Sequence, residues 1–231
     1  MRDLLIIGAG GFARETAAAV AAINAAAPGA PLWRLRGFLD DDPALHGTQR
    51  VGVPVLGGTG LVDDLPDAAV VICVGNPRNY RSRQRLVQRL GLPARRYATL
   101  VHPAARIGTG CTVGPGSVLL AGVDLTAEVR VGAHVAVMPQ VVLTHDDVVE
   151  PFATIASGVR LGGGAVLGEG AYVGAGALLR EGVAVGAWAQ IGMGSVVLRD
   201  VPAGEVWVGN PARFLRPTDQ PATRSSLRSH P

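Results

Sequence analysis

Residues 131–155 read Val131-Gly-Ala-His-Val-Ala-Val137-Met-Pro-Gln-Val-Val-Leu143-Thr-His-Asp-Asp-Val-Val149-Glu-Pro-Phe-Ala-Thr-Ile155, with an aliphatic residue at every sixth position. The period runs on in both directions without a slip. It starts at Val101, Ile107 and Val113 and ends at Val185, Ile191 and Val197, seventeen consecutive hexads. Neither a helix, with its period of about 3.6, nor an alternating strand generates it. The residue four after each anchor is Ala, Val, Ser or Cys in every hexad but one, where it is Asp147. Glycine follows the anchor in eight hexads, as at Val113, Leu161, Leu167 and Val173. These features describe a prism with three flat walls, a repeat architecture whose units bury their apolar side only by stacking. Each hexad supplies one short strand and one corner. The anchor points inward, the residue four later sits where the corner is tight, and glycine tolerates unusual backbone angles. Three hexads close a coil of eighteen residues, so the run makes nearly six coils of a left-handed parallel β-helix. No loop interrupts it. Pro202 in Val197-Leu-Arg-Asp-Val-Pro202 is expected to end it, because proline removes a ladder donor.

Upstream of Val101 the pattern is that of an α/β domain. Leu4-Leu-Ile-Ile7 is a short apolar run as expected of a buried parallel strand. A helix is predicted over Gly11–Ala27, stopped by Pro28-Gly29, and an Arg-rich one over Tyr80–Leu90, ended by Gly91. Further strands are predicted over Arg36–Leu39, Val51–Leu56 and Ala69–Val74. The domains are therefore expected at 1–95 (small, Rossmann-like), 96–217 (β-helix, hexads 101–202) and 218–231, a Ser-, Arg- and Pro-rich tail expected to be disordered.

Composition narrows the function classes. The chain has 231 residues, 48% hydrophobic and only 4% aromatic, which suits thin regular layers better than a bulky core. Every basic residue is Arg, the net charge is +3, and no long basic run interleaves with aromatics, so a nucleic-acid partner is not expected. The two cysteines, Cys73 and Cys111, show no pairing pattern and suggest a reducing compartment. The apolar run Leu4–Ala9 is too short for a signal segment or a membrane span, so the expectation is a soluble, cytoplasmic protein with no membrane partner.

The chemistry-bearing feature of the repeats is Thr144-His145-Asp146, on a corner where one wall turns into the next. A histidine titrating near neutrality suits a general base, and a neighbouring carboxylate can orient it. Asp147, beside them, is the one violation of the small position, and a buried carboxylate is costly unless paired. It is expected either to reach solvent or a backbone N–H through a small corner distortion, or to replace Asp146 as the partner of His145. No role is assigned to His46, His102 or His230 beyond structure, and His134 is not stacked on His145.

The repeats together with Val208-Gly-Asn-Pro-Ala-Arg213 resemble the hexapeptide acyltransferases. Leu5-Ile-Ile-Gly-Ala-Gly-Gly-Phe-Ala-Arg-Glu15, Gly37-Phe-Leu-Asp-Asp-Asp42 and Val74-Gly-Asn-Pro77 make the chain similar, over residues 3–216, to the NeuD/PglD-type sugar O- or N-acetyltransferases. The resemblance implies a homotrimer, acetyl-CoA bound between neighbouring prisms, a sugar or nucleotide-sugar acceptor on the N-terminal domain, and no metal. It implies His145 as the base and Asp146 as its orienting carboxylate. It places Thr154, Gly163, Ala175 and Met193 against acetyl-CoA and leaves Arg213 and Arg216 to pair with its phosphates. Some amino-sugar members carry a second His where this chain has Thr154, whose hydroxyl could still donate to the thioester carbonyl. Gly8-Ala-Gly10-Gly11-Phe12-Ala13 fits G-x-G-x-x-A between a strand and a helix and is read as a pyrophosphate cradle. A nicotinamide dehydrogenase would use the same loop, but the acidic cluster starts about 27 residues after Ala13 rather than about 20, and the domain is too small for two mononucleotide halves. Asp40 and Asp41 are then expected to face the base or ribose, with Asn76, Arg78 and Arg81 as further contacts. The resulting expectation is an acetyl-CoA-dependent N-acetyltransferase acting on a nucleotide-linked amino sugar, by direct transfer at a subunit interface. O-acetylation of sialic acid or another sugar, a metal-dependent hydratase of the γ-carbonic anhydrase kind, and an inactive binding protein are the alternatives.

Overall fold

The computed structural model describes residues 1–75 and 79–218. Asn76 and Arg78, the tail and His230 therefore lie outside the described residues.

The first domain is a five-stranded sheet in the order β3-β4-β2-β1-β5. Its strands are β1 (Arg2–Ile7), β2 (Trp33–Leu39), β3 (Gln49–Arg50), β4 (Val53–Gly57) and β5 (Ala69–Ile72). All neighbouring pairs are parallel except β3 with β4. The single strand expected over Val51–Leu56 is thus a hairpin, turned at Val51 and Gly52, both with positive φ. The uninterrupted apolar run of β1 follows from burial on both faces. Leu4 and Ile6 face α1 (Gly11–Ala26), while Leu5 and Ile7 face Tyr97 and the helix α2 (Ser82–Leu90).

From Leu100 the chain winds into three parallel sheets. The first wall stacks strands at 106–109, 124–127, 142–143, 160–161, 178–179 and 196–197. The second stacks 112–113, 130–131, 148–149, 166–167 and 184–185, and the third begins with 100–101, 118–119, 136–137, 154–155, 172–173 and 190–191. Partners lie eighteen residues apart, as Asp124 with Val142. The anchors from Leu119 onward are buried, whereas Ile107, in the first coil, has no coil beneath it and is 40% exposed. Pro202 does not end the solenoid. Glu205–Gly209 adds a parallel strand to the third wall, pairing Val206 with Gln190, and Ala212–Pro217 returns antiparallel to it. Pro202 sits in the preceding turn, where no ladder donor is needed.

The glycines need a second correction. Left-handed backbone falls on the fourth residue of every hexad except the first and the last, at Gly110, Gly116, Gly158 and Gly176 and also at Gln140, Asp146, Phe152 and Trp188. Glycines following the anchor have no positive φ. They are required by contact instead: a Cβ on Gly168 or Gly174 would lie 2.6 or 2.5 Å from a backbone nitrogen of the next coil.

The first domain sits on the third wall and on its corner with the second. Ala13 and Ala17 of α1 share a core with Leu100, Val118 and Leu120. Tyr80 donates to the Trp188 carbonyl at 3.0 Å, and Gln84 bonds Glu169 at 2.7 Å. No helix among the described residues is long and apolar enough to cross a membrane.

Candidate active site

His145 stands on the corner between the first and second walls, after strand 142–143 and before 148–149. Asp146 takes the left-handed turn there, with φ 64°. This brings its Oδ2 to 2.8 Å from His145 Nδ1, with both side chains about two-thirds exposed, at 69% and 68%. The other ring edge lies over the next coil, where a Cβ on Gly163 would be 2.4 Å from Nε2. Gly163 is therefore a floor for the imidazole.

Asp147 has no exposed surface. Its Oδ2 accepts from Thr144 N at 2.7 Å and its Oδ1 from Ala165 N at 2.8 Å. Of the two expected arrangements, the backbone N–H is found, solvent is not reached, and Asp146 rather than Asp147 meets His145. Burial pushes the Asp147 carboxyl up to about 6, against the pull of its two N–H bonds. The ladder bond has precedents in the same chain. Ser117 accepts from Val135 N at 2.9 Å, and Cys111 Sγ accepts from Val129 N at 3.4 Å, each eighteen residues on.

At the other domain, Gly8 takes φ +98° at the end of β1, and Gly10 is the N-cap of α1 with no side-chain cap. Among the described residues, a Cβ on Gly10 or Gly11 would meet nothing within 4 Å. Packing within the chain does not demand glycine at these two positions, so open space surrounds the uncapped N–H groups of a sixteen-residue helix, a setting suited to an anion. Asp40 shapes the loop, accepting from Ala9 N at 2.9 Å and from Asp42 N at 3.0 Å. Asp41 accepts from Thr59 N and Oγ1 and pairs with Arg89 at 2.6 Å; the Thr59 N–H, helped by Arg89, holds it down at about 2. Both carboxylates expected to face a base or ribose thus already have partners within the chain. Arg81 stacks on the Trp188 ring at 4.5 Å instead of turning to the loop.

Between the glycine loop and the third wall lies a cleft of about 170 Å³. Phe12, Gly75 and Arg83 form one side; Thr154, Tyr172 and Ala175 are on the other. Tyr172 and Ala175 also border a second hollow of about 240 Å³ with Gln190, Gly192 and Met193. Thr154, Ala175 and Met193 therefore share one groove. Small residues line it, as a long flexible ligand requires, and Met193 is 82% exposed beside it. Arg213 is exposed on the returning strand, opposite Val208. Gly163 belongs with His145, not with this groove. In a three-walled prism the corner of the first and second walls is opposite the third wall, so one chain does not bring the His145–Asp146 pair to the groove. No group of three or more metal-ligating side chains is found among the described residues.

Two features were not foreseen from the sequence. Arg83 is 2% exposed at the foot of the cleft. The signal was present, since Arg83 occupies the core face of α2 with Leu86, Val87 and Leu90 at helical spacing, but it was masked by the other arginines. The second is an aromatic seam under the first domain. His134 stacks on Phe152 at 5.3 Å and meets the edge of Tyr97 at 4.5 Å; burial, with Arg83 nearby, lowers it to about 4.

Residues 3–90 match the family described as the PglD N-terminal domain. The acetyltransferase domain of PglB from Neisseria gonorrhoeae, solved in complex with acetyl coenzyme A, is 30% identical over 93% of this chain and 99% of that one, with a TM-score of 0.79. PerB from Caulobacter crescentus, solved with CoA and GDP-perosamine, is 26% identical over 93% and 98%, also at 0.79. WeeI from Acinetobacter baumannii is 27% identical over 93% and 100%, at 0.76. Serine acetyltransferase 3, mitochondrial, of Arabidopsis thaliana is 35% identical over 134 residues, 57% of this chain. The chain spans about a third of the length of the curated relatives it matches, 30% and 32%.

Proposed function

Because this chain belongs to the NeuD/PglD-type hexapeptide-repeat sugar acetyltransferases, we propose that it moves the acetyl group of acetyl-CoA to the amine of a nucleotide-linked amino sugar. The observation that carries the reading is the His145–Asp146 pair, 2.8 Å apart on an exposed corner. Nε2 of His145, with Nδ1–H given to Asp146, takes a proton as the amine attacks the thioester carbon. Asp146 stabilises the imidazolium so formed, and His145 then returns the proton to the departing CoA sulfur. The uncapped start of α1 at Gly10, Gly11 and Phe12 holds the acceptor's diphosphate; Asn76 and Arg78, outside the described residues, are kept as proposed acceptor contacts from the sequence. The groove of Thr154, Ala175 and Met193 holds the pantetheine arm, with Arg213 toward the CoA phosphates. Since His145 and the groove are on opposite sides of one prism, each site takes its base from a neighbouring copy, as in a homotrimer.

The ligands of the relatives support this reading: acetyl coenzyme A for PglB, CoA with GDP-perosamine for PerB. Steady-state assay with acetyl-CoA and a panel of UDP-, GDP- and dTDP-amino sugars tests it. His145→Ala is expected to lower kcat by about 10²–10⁴-fold with little change in KM. Unchanged turnover removes His145 as the base.

A further inference from the structure

Arg83 is the most buried arginine among the described residues, and no carboxylate among them lies within ion-pair distance of it. Its guanidinium is satisfied almost wholly by carbonyls. Nη1 donates to Val74 O at 3.2 Å, and Nη2 to Phe152 O at 2.8 Å and Ala153 O at 3.0 Å. The exception is Thr154. Nη2 lies 2.8 Å from its Oγ1, and Arg83 Nε has no partner among the described residues. One side chain thus ties the segment that follows β5 to the third wall of the prism, under the cleft that both domains line.

The chemistry of the Arg83–Thr154 bond is one-sided. Guanidinium has donors only, so the Thr154 oxygen must accept, and its own proton is directed elsewhere. That proton finds no acceptor among the described residues. Thr154 pairs in the wall with Ala136 on one side and Tyr172 on the other. Beyond it the cleft is lined by Phe12, Met138, Ala156 and Ala175, which offer no side-chain acceptor, and by the hydroxyl-bearing Ser157 and Tyr172, to neither of which Thr154 is bonded. A free O–H in a mostly apolar cleft, polarised by an unneutralised cation behind it, is a strong donor to an oxygen that gains negative charge.

We propose that Arg83 is a positioning residue that acts through Thr154, turning the Thr154 hydroxyl into a fixed donor to a carbonyl oxygen of the bound substrate in the cleft. This rests on the acyl-transfer reading above, in which the thioester is the carbonyl at hand. It assigns to an arginine of the first domain a part in the chemistry on the prism, so that docking of the two domains and activation of the donor site are one event. The cation stays charged at neutral pH, since burial lowers it only to about 10.

The test is a double-mutant cycle of Thr154→Val, Arg83→Lys and both, with Thr154→Ser as the conservative variant, assayed with acetyl-CoA and the acceptor that proves active. Thr154→Val leaves the strut's three carbonyl bonds in place. It should keep the melting temperature and lower kcat about tenfold with KM for acetyl-CoA little changed. Thr154→Ser should stay within about threefold of wild type. Arg83→Lys should cost about tenfold in the wild-type background but almost nothing beside Thr154→Val. Wild-type kinetics in Thr154→Val, or losses that simply multiply in the double variant, overturn the proposal. If Arg83→Lys fails to fold, Arg83→Gln takes its place in the cycle, and wild-type kinetics in Thr154→Val still overturn the proposal. A wild-type chain that binds no CoA by calorimetry and acetylates nothing would instead count against the acyl-transfer reading, and the proposal would fall with it.

Discussion

At the scale of single residues, Asp147 is the most informative position. Three of the hydrogen-bonding side chains at the small position, Cys111, Ser117 and Asp147, bond the N–H eighteen residues on. The second bond of Asp147, to Thr144 N, is what the shorter two cannot make, and it clamps the segment that carries His145. The clamp costs stability at neutral pH. Asp147 titrates at about 6 when folded and near 3.8 when unfolded, so between these values the folded chain holds the extra proton. Stability from this group is therefore fully present below about pH 4 and is lost as pH rises through about 6, by about 3 kcal/mol in all. Asp147→Ser should keep the bond to Ala165 as Ser117 keeps its own. It should unfold at higher urea than wild type at pH 7.5 and lose that advantage at pH 4, while its kcat falls several-fold. Urea midpoints across pH 4–8 check this; an unchanged difference between the two proteins over that range would refute it.

At the scale of the element, the hexad has two glycine positions with different physics. After the anchor, glycine answers to contact, and no adjustment relieves backbone against backbone. Gly168→Ala is expected to destabilise by about 2–3 kcal/mol, because its Cβ would press on Ala187 N. At the fourth position glycine takes positive φ, and at Gly164, Gly176, Gly182 and Gly194, where a Cβ would meet nothing within 4 Å, it answers to φ alone. Gly176 has φ 68° and open surroundings, so Gly176→Ala should cost about 1 kcal/mol and Gly176→Asn less, since Asn tolerates this backbone. Equilibrium unfolding ranks the three, and equal costs for Gly168→Ala and Gly176→Ala would contradict the distinction. The sequence showed glycine at both positions but not which reason applied. Spacing reports where a glycine is, whereas the reason depends on how close the next coil comes.

At the scale of the molecule, the proposed function requires a site shared between copies. The glycine loop, Arg83 and the groove lie on one side of a chain, and His145 lies on the other. A consequence can be measured by complementation. His145→Ala lacks the base. Gly11→Asp, placed where a Cβ meets nothing within 4 Å, should fold normally yet repel a diphosphate. Each alone should be inactive. Co-expressed in equal amounts, they should recover about a quarter of wild-type activity, the fraction of interfaces that pair an intact corner with an intact groove. No recovery in mixed assemblies would place base and acceptor in the same chain.

The sequence by itself determined the solenoid, its three-hexad coil, the parallel strands β1, β2, β4 and β5 of the first domain and the corner that presents His145 with Asp146. These follow from local rules: a period, a tight position, a strand followed by a glycine loop. Only the tertiary structure decided that Asp147 turns inward to two N–H groups, that Asp40 and Asp41 already have partners, that a strand continues beyond Pro202, and that Arg83 reaches from α2 to Thr154. Each of these depends on groups far apart in the chain meeting at hydrogen-bond distance. Burial then fixes what they do, because a polar group removed from water must take whichever partner the fold places beside it.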